Sequence, residues 1–148
     1  MSGLDKFDAL RGLPLTDFLM VAGGSLVLYF GDRVGFGRLT TWRLHLESAW
    51  RLEGPRDALA GSYDFDNDGR PPDVTFTAFN ELVGKTIEAV TVGAPVLDVS
   101  IMFEGGFRLV TFAHSIVDGE NWELRHHSGL RVGMRGVTEC AEWQEAED

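Results

Sequence analysis

The sequence predicts a single domain of the α+β class, mostly antiparallel β, built from two repeated helix-plus-meander units. Three observations predict it. Short apolar runs rich in β-forming residues recur along the chain. Glycine is abundant, at 18 of 148 residues, and several of these residues separate the runs. The same landmarks also recur about 70 residues apart.

The first unit covers about residues 3–60. Leu4, Phe7 and Leu10 share one helical face, and Gly12 is a plausible end of that helix. An apolar run, 15–21, precedes a turn at Gly23-Gly24. Strands are then predicted at residues 26–30, 39–46 and 49–52.

The second unit covers about residues 75–127 and follows a polar loop, 61–73. A short helix is predicted over 76–82, ending at Gly84. Strands are predicted at residues 86–92, 96–103, 107–112 and 122–124. The end of the chain, 138–148, is acidic and is predicted to be a tail or a frayed helix.

The two halves match in the order of their elements. The aligned landmarks are Leu10 with Leu82, Gly12 with Gly84, Trp42 with Phe112, and Trp50-Arg51-Leu52 with Trp122-Glu123-Leu124. One such sheet has one apolar face and is not stable alone. Two copies could bury those faces together as a sandwich or a closed barrel with pseudo-twofold symmetry.

From Leu10 to Leu124, the landmarks resemble a pattern found in a group of small uncharacterised bacterial proteins. The pattern comprises Leu-x-Gly, Trp50-Arg51-Leu52, Gly61-Ser62-x-Asp64, Leu82-x-Gly84-Lys85, Asp98-x-x-x-x-Phe103-x-x-Gly106 and Trp122-x-Leu124. These landmarks are structural, so the resemblance implies no activity. Some small acidic bacterial proteins of similar appearance are immunity proteins against toxins, which suggests an immunity-like module by analogy.

The formal charge of −10 lies in the second half of the chain. Residues 1–60 carry seven acidic and seven basic residues, whereas 61–148 carry sixteen and six. This charge disfavours nucleic acid and favours either a basic protein partner or simple solubility. No apolar stretch is long enough to span a bilayer, and no secretory signal is recognised. The bacterial cytoplasm is the expected location, and a homodimer is left open.

Asp64, Asp66 and Asp68, followed by Gly69, have the spacing that begins a calcium-binding EF-hand loop. Position 12 of such a loop should be a bidentate glutamate, but here it is Thr75. The segment is therefore either a Ca²⁺ site without its strongest ligand or a solvated acidic turn.

Arg43, His45 and His114 are the candidate ligand-binding residues, since equivalent strand regions of the two units would carry the two histidines. With Asp98 they would also be the residues of an enzyme, although no catalytic motif is present. Trp143, among glutamates, is a candidate partner-docking residue. The sequence thus favours a non-enzymatic protein-interaction module. The alternative is a small-ligand-binding β-barrel with a pocket between the two repeats.

Overall fold

Two antiparallel sheets, one of six strands and one of five, make up most of the chain. The computed structural model describes residues 4–21, 23–66, 68–113, 121–135 and 139–144. The strands are β1 Leu15–Val21, β2 Ser25–Arg33, β3 Thr40–Leu46, β4 Ala49–Glu53, β5 Ala58–Gly61, β6 Ile87–Val92, β7 Val99–Phe103, β8 Phe107–Phe112, β9 Trp122–His126, β10 Leu130–Arg135 and β11 Glu139–Gln144. Helix α1 is Asp73–Leu82, and 3-10 helices occupy Leu4–Leu10 and Ser62–Asp64.

The strand orders of the two sheets follow one scheme. The six-stranded sheet has the order β1-β2-β3-β9-β10-β11, and the five-stranded sheet has the order β5-β4-β8-β7-β6. In each sheet, a three-strand meander from one half of the chain is extended at its third strand by strands from the other half. The extending pairs are β3 with β9 and β8 with β4.

The core lies where the two sheets bury their apolar sides. Successive strand residues point to opposite faces, and β3 is alternately buried and half-buried along its length. Leu44 of β3 and Leu109 of β8 belong to one continuous hydrophobic cluster that draws on both sheets. Within it, the rings of Phe30 and Phe103 stack with their centroids 6.4 Å apart.

A short backbone seam joins the two sheets where β1 and β6 begin. Four hydrogen bonds form it: Gly12 N–H to Ile87 O at 2.8 Å, Ile87 N–H to Leu13 O at 2.9 Å, Leu15 N–H to Lys85 O at 3.0 Å and Gly84 N–H to Leu15 O at 2.8 Å. Gly12 follows the Leu4–Leu10 helix and Gly84 follows α1. Their φ values of +84° and +93° lie in a region that favours glycine. Each glycine therefore ends a helix and turns the chain into the seam.

The Leu4–Leu10 helix and α1 each pack an aromatic ring against a tryptophan of the sheets. Phe7 meets Trp122 edge-to-face at 5.1 Å, and Phe79 of α1 meets Trp50 at 5.5 Å. Both indole N–H groups donate to loop carbonyls, Trp50 to Gly24 at 2.6 Å and Trp122 to Leu97 at 2.7 Å. These bonds leave neither indole with an unpaired buried donor. None of the helices in the described part of the chain is long and apolar enough to cross a membrane.

The predicted α+β, mostly antiparallel fold is confirmed, but several details differ. The pairings divide the strands between two sheets and do not support a closed barrel. Residues 139–144, predicted as tail or helix, form β11 against β10. β5, Ala58–Gly61, was not predicted, and it ends at the first residue of the predicted 61–73 loop. β7 begins at Val99 rather than residue 96, because a bond from Gly93 N–H to Asp98 O closes a turn there.

The sequence alignment of β3 with β8 is also displaced. Strand pairing sets Leu44 opposite Leu28 and Leu109 opposite Ile101, so Leu44 and Leu109 hold equivalent places. Arg43 then corresponds to Arg108. The alignment had matched Trp42, which is 8% exposed, with Phe112, which is 38% exposed. The displacement arises because the β2–β3 connection is longer than the β7–β8 connection.

We expect Trp122→Phe to lower the free energy of unfolding by about 2–3 kcal/mol, because it opens a cavity and leaves the Leu97 carbonyl unpaired. Trp143→Phe, at a half-buried surface position, should cost about 1 kcal/mol or less. Urea unfolding measures both. Equal losses of unfolding free energy in the two variants would contradict the conclusion that the buried Trp122 stabilises the fold more than Trp143 does.

Candidate functional site

A row of arginines crosses the six-stranded sheet on the face that points away from the core. Arg43 on β3, Arg125 on β9 and Arg131 on β10 lie directly opposite one another. We call these three residues the arginine row. Tyr29 on β2 pairs with Arg43 at one end, and Trp143 on β11 pairs with Arg131 at the other. Five neighbouring strands thus present one basic, aromatic-flanked strip.

Like charges placed opposite each other across strands are destabilising, so the arginine row needs a counter-charge. Glu123 supplies it from the next outward position of β9 and is only 6% exposed. Arg131 donates to it through two bonds, Nε to Oε1 and Nη2 to Oε2, each 2.9 Å. Arg125 Nε donates to the same Oε1. One carboxylate therefore binds two of the three guanidinium groups.

The protonation of Glu123 follows from this arrangement. Burial by itself raises the pKa of the Glu123 carboxyl, but the hydrogen bonds and charges of Arg131 and Arg125 outweigh it. The net result is a pKa below the ordinary value. Glu123 is therefore ionised at neutral pH and remains a permanent counter-charge for Arg125 and Arg131.

Arg43 is left without such a partner. It forms no salt bridge with any residue that the structure describes, and its buried Nε has no hydrogen-bond acceptor there. A buried guanidinium N–H that lacks an acceptor is costly, so the site is electrostatically incomplete. The next carboxylate on this side of the sheet, Asp17 of β1 opposite Tyr29, instead pairs with Arg33 and Arg38 at 3.6 and 3.2 Å.

His45 stands two residues beyond Arg43 on the same face, opposite Val27 and Glu123. Its Nε2 is buried and has no partner among the described residues. Burial, followed by the charges of Arg125 and Arg43, lowers the pKa of His45 to about 4. The imidazole is therefore neutral at pH 7, and the nearby Arg43 cation favours that neutral form.

Trp143 closes the row on the β11 side. The guanidinium of Arg131 lies over its ring, 5.1 Å from the centroid. The ring also covers Gly133, where an added Cβ would come within 2.9 Å of Trp143 Cη2. The absence of a side chain at residue 133 therefore leaves room for the edge of the Trp143 ring beside β10.

The structure gathers three of the sequence-predicted candidates, Arg43, His45 and Trp143, on this one face. His114 lies outside the described residues. Asp98, named with the enzyme hypothesis, uses its Oδ1 to accept the Ala113 N–H at 2.6 Å, which is a structural contact. Tyr29, Glu123, Arg125 and Arg131 were not recognised from the sequence. The alternation of side chains along β9 was the available signal, since it places Glu123 and Arg125 on one face. Only the strand order shows that Arg131 lies beside them.

The acidic loop uses its carboxylates to organise its own backbone. Asp66 Oδ1 accepts the N–H groups of Asp68 and Arg70 at 2.9 and 2.8 Å, and Asp64 Oδ2 accepts that of Gly61 at 3.0 Å. Within the described residues, no group of three His, Cys, Asp or Glu side chains is placed to hold a metal ion. The calcium hypothesis for Asp64, Asp66 and Asp68 stays a prediction.

A second opening lies on the five-stranded sheet. It is a groove of about 630 Å³ beside β4 and β5, with Trp50, Leu59, Tyr63 and Phe112 among its lining residues. It is open to the surface, and its lining joins β4 and β5 of the first unit to Phe112 at the end of β8 in the second unit. Cys140 is half-buried, and burial together with Glu142 raises the pKa of its thiol to about 11. This makes it a poor nucleophile.

Comparison with known proteins adds no assignment. No family model, no curated protein and no solved structure matches the chain. Any function therefore has to be inferred from the geometry and charge of the described residues.

We expect Glu123→Gln to lower the free energy of unfolding by about 2 kcal/mol at neutral pH, because it removes the buried negative charge that Arg125 and Arg131 both bind. Since the folded-state pKa of Glu123 is depressed, its contribution is present above the unfolded pKa of about 4.3 and is lost as pH falls through the folded pKa. The difference between wild type and variant should therefore shrink in acid. Urea unfolding across pH tests this, with the exposed Glu88→Gln as control. A gap that stays constant with pH would contradict the pairing.

We expect Gly133→Ala to displace the Trp143 ring, because the new methyl group would occupy the space of Cη2. The indole N–H resonance of Trp143 should shift, and the Arg131 side chain should lose its ring-current shift. An unchanged Trp143 resonance in the two-dimensional NMR spectrum of the variant would show that the ring does not lie on Gly133.

Proposed function

We propose that the chain is a non-enzymatic protein-interaction module, and that the outward face of its six-stranded sheet binds an acidic segment of a partner protein. The observation that carries the proposal is the arginine row in a chain whose formal net charge is −10. Three aligned arginines cost stability unless an anion compensates them. Glu123 engages two of them, which leaves Arg43 for a bound group.

The charges close to the arginine row, rather than the net charge of the chain, determine which partner this face suits. At physiological ionic strength the Debye length is about 8 Å, so acidic residues elsewhere on the chain are largely screened at the arginine row. Arginine, tyrosine and tryptophan are also the residues that concentrate in protein-binding hot spots. The basic partner predicted from total charge stays a prediction, and it would need a different, acidic part of the surface.

We also propose that the fold arose by duplication of one helix-plus-meander unit. The seam bonds, the two Phe–Trp contacts and the two indole bonds occur in matching pairs, which supports this origin. The outward charges differ between the copies. Glu123 and Arg125 of β9 correspond to Arg51 and Glu53 of β4, with the order of charge reversed.

This reversal gives the two sheets different outward faces. Arg108, the counterpart of Arg43, has Glu53 opposite it at 3.9 Å, and Glu53 also pairs with Arg51 at 2.7 Å. The five-stranded sheet therefore gives its central arginine a carboxylate partner, whereas none of the described residues gives Arg43 one. This contrast supports a specialised binding role for the six-stranded sheet and provides matched control positions.

An immunity-like role, in which the partner is a toxin, is one form of this proposal. The cytoplasmic location and the homodimer stay predictions from the sequence. The small-ligand alternative draws its support from the groove lined by Trp50, Tyr63 and Phe112.

We expect a fluorescent glutamate-rich peptide to bind the wild-type chain and to bind Arg43→Glu at least tenfold more weakly, about 1.4 kcal/mol. The variant should fold, since its new carboxylate would face Arg125. Arg108→Glu at the equivalent position of the other sheet should bind like wild type. Fluorescence anisotropy at low and physiological ionic strength measures the affinities. Equal weakening by both variants, or no binding to wild type, would contradict the proposal.

A further inference from the structure

We propose that Arg43 and His45 form the seat for a single carboxylate group, an inference that rests on the proposed function and names the chemistry of its central contact. The two side chains are at positions i and i+2 of β3, on the outward face. Their Cα atoms are therefore about 6.5–7 Å apart, and both side chains rise from the same side of the sheet. A group that holds two oxygens can approach both.

The unpartnered atoms point to an oxygen ligand. Arg43 Nε and His45 Nε2 are both buried and lack partners among the described residues. A guanidinium N–H requires an acceptor, and a neutral imidazole can donate from Nε2 in one of its tautomers. Two neighbouring buried polar atoms without hydrogen-bond partners are uncommon in folded proteins, where most buried polar side-chain atoms have a partner. An oxyanion seated between the two residues would satisfy both.

Residues of the two neighbouring strands, β2 and β9, border the seat. On the β2 side, Tyr29 and Val27 lie opposite Arg43 and His45, and each is only 8% exposed. On the β9 side, Arg125 and Glu123 lie opposite the same two residues. The seat is therefore bounded by an apolar, aromatic side and a charged side, which restricts both the size and the orientation of a bound group.

A carboxylate is the anion that fits the proposed acidic partner. The three arginines of the row carry three positive charges and Glu123 carries one negative charge, so positive charge remains for a bound anion to offset. The glutamate and aspartate side chains of an acidic segment supply carboxylates. The planar guanidinium also matches the planar carboxylate in a bidentate pair.

Proton uptake accompanies binding at this seat. The charged groups that face His45 are Arg43 on its own strand, Glu123 and Arg125 on β9, and Arg131 on β10. The three arginines disfavour the imidazolium, and a bound carboxylate would offset part of that positive field. The imidazolium is then stabilised, so the pKa of His45 should rise on binding. Affinity for the carboxylate should increase as pH falls toward 5, as long as the ligand stays ionised.

The test follows the His45 ring by NMR in the full chain, with acetate as the probe and then with the glutamate-rich peptide. Saturating acetate should raise the pKa of His45 by about one unit, equivalent to a tenfold change in the protonation equilibrium. Arg43→Ala should abolish the response to acetate, and Arg108→Ala should leave it intact.

The outcomes separate the seat from the wider function. If the peptide binds through the arginine row but neither peptide nor acetate moves the His45 titration, the carboxylate seat is wrong and the interaction face stands. If acetate moves the His45 titration but no acidic peptide binds, the seat stands and the protein-partner proposal fails. A response that survives Arg43→Ala overturns the assignment, and His45→Gln with unaltered peptide affinity at every pH does the same.

Discussion

The mutual burial of two apolar sheet faces is the constraint on which the rest of this structure depends. Fully burying one large apolar side chain contributes about 1.5–3 kcal/mol, against about 0.5–1.5 for one hydrogen bond. The shared core, which includes Phe30 stacked on Phe103, therefore outweighs the four bonds of the seam. The seam fixes how β1 and β6 begin, and the core holds the sheets together.

The same constraint determines where function can lie. Because each strand alternates, Leu44 and Leu124 enter the core while Arg43 and Arg125 point away from it. A ladder that aligns the leucines must align the arginines as well. The arginine row is thus a consequence of core packing, and its energetic cost is met by Glu123 within the protein and, under the proposed function, by an acidic partner outside it.

Much of the fold was predictable, because apolar alternation, glycine punctuation and recurring landmarks are local properties. The site was predictable only in part. Arg43, His45 and Trp143 were recognised as isolated candidates, but their shared face depends on the order β3-β9-β10-β11, which brings residue 43 beside residues far along the chain. β11 was missed because its acidic residues resemble a solvated tail. The alignment of β3 with β8 was displaced for a comparable reason. A longer hairpin loop and a shifted strand register look the same in the sequence, and only the strand pairing distinguishes them.

The most direct test is an amide chemical-shift map of the whole chain titrated with an acidic peptide. The account predicts that shifts concentrate on the central residues of β3, β9 and β10, around Arg43, Arg125 and Arg131, and that β4 and β8 around Arg108 remain unchanged. Shifts centred on the five-stranded sheet, or spread along the strand edges without regard to face, would contradict it.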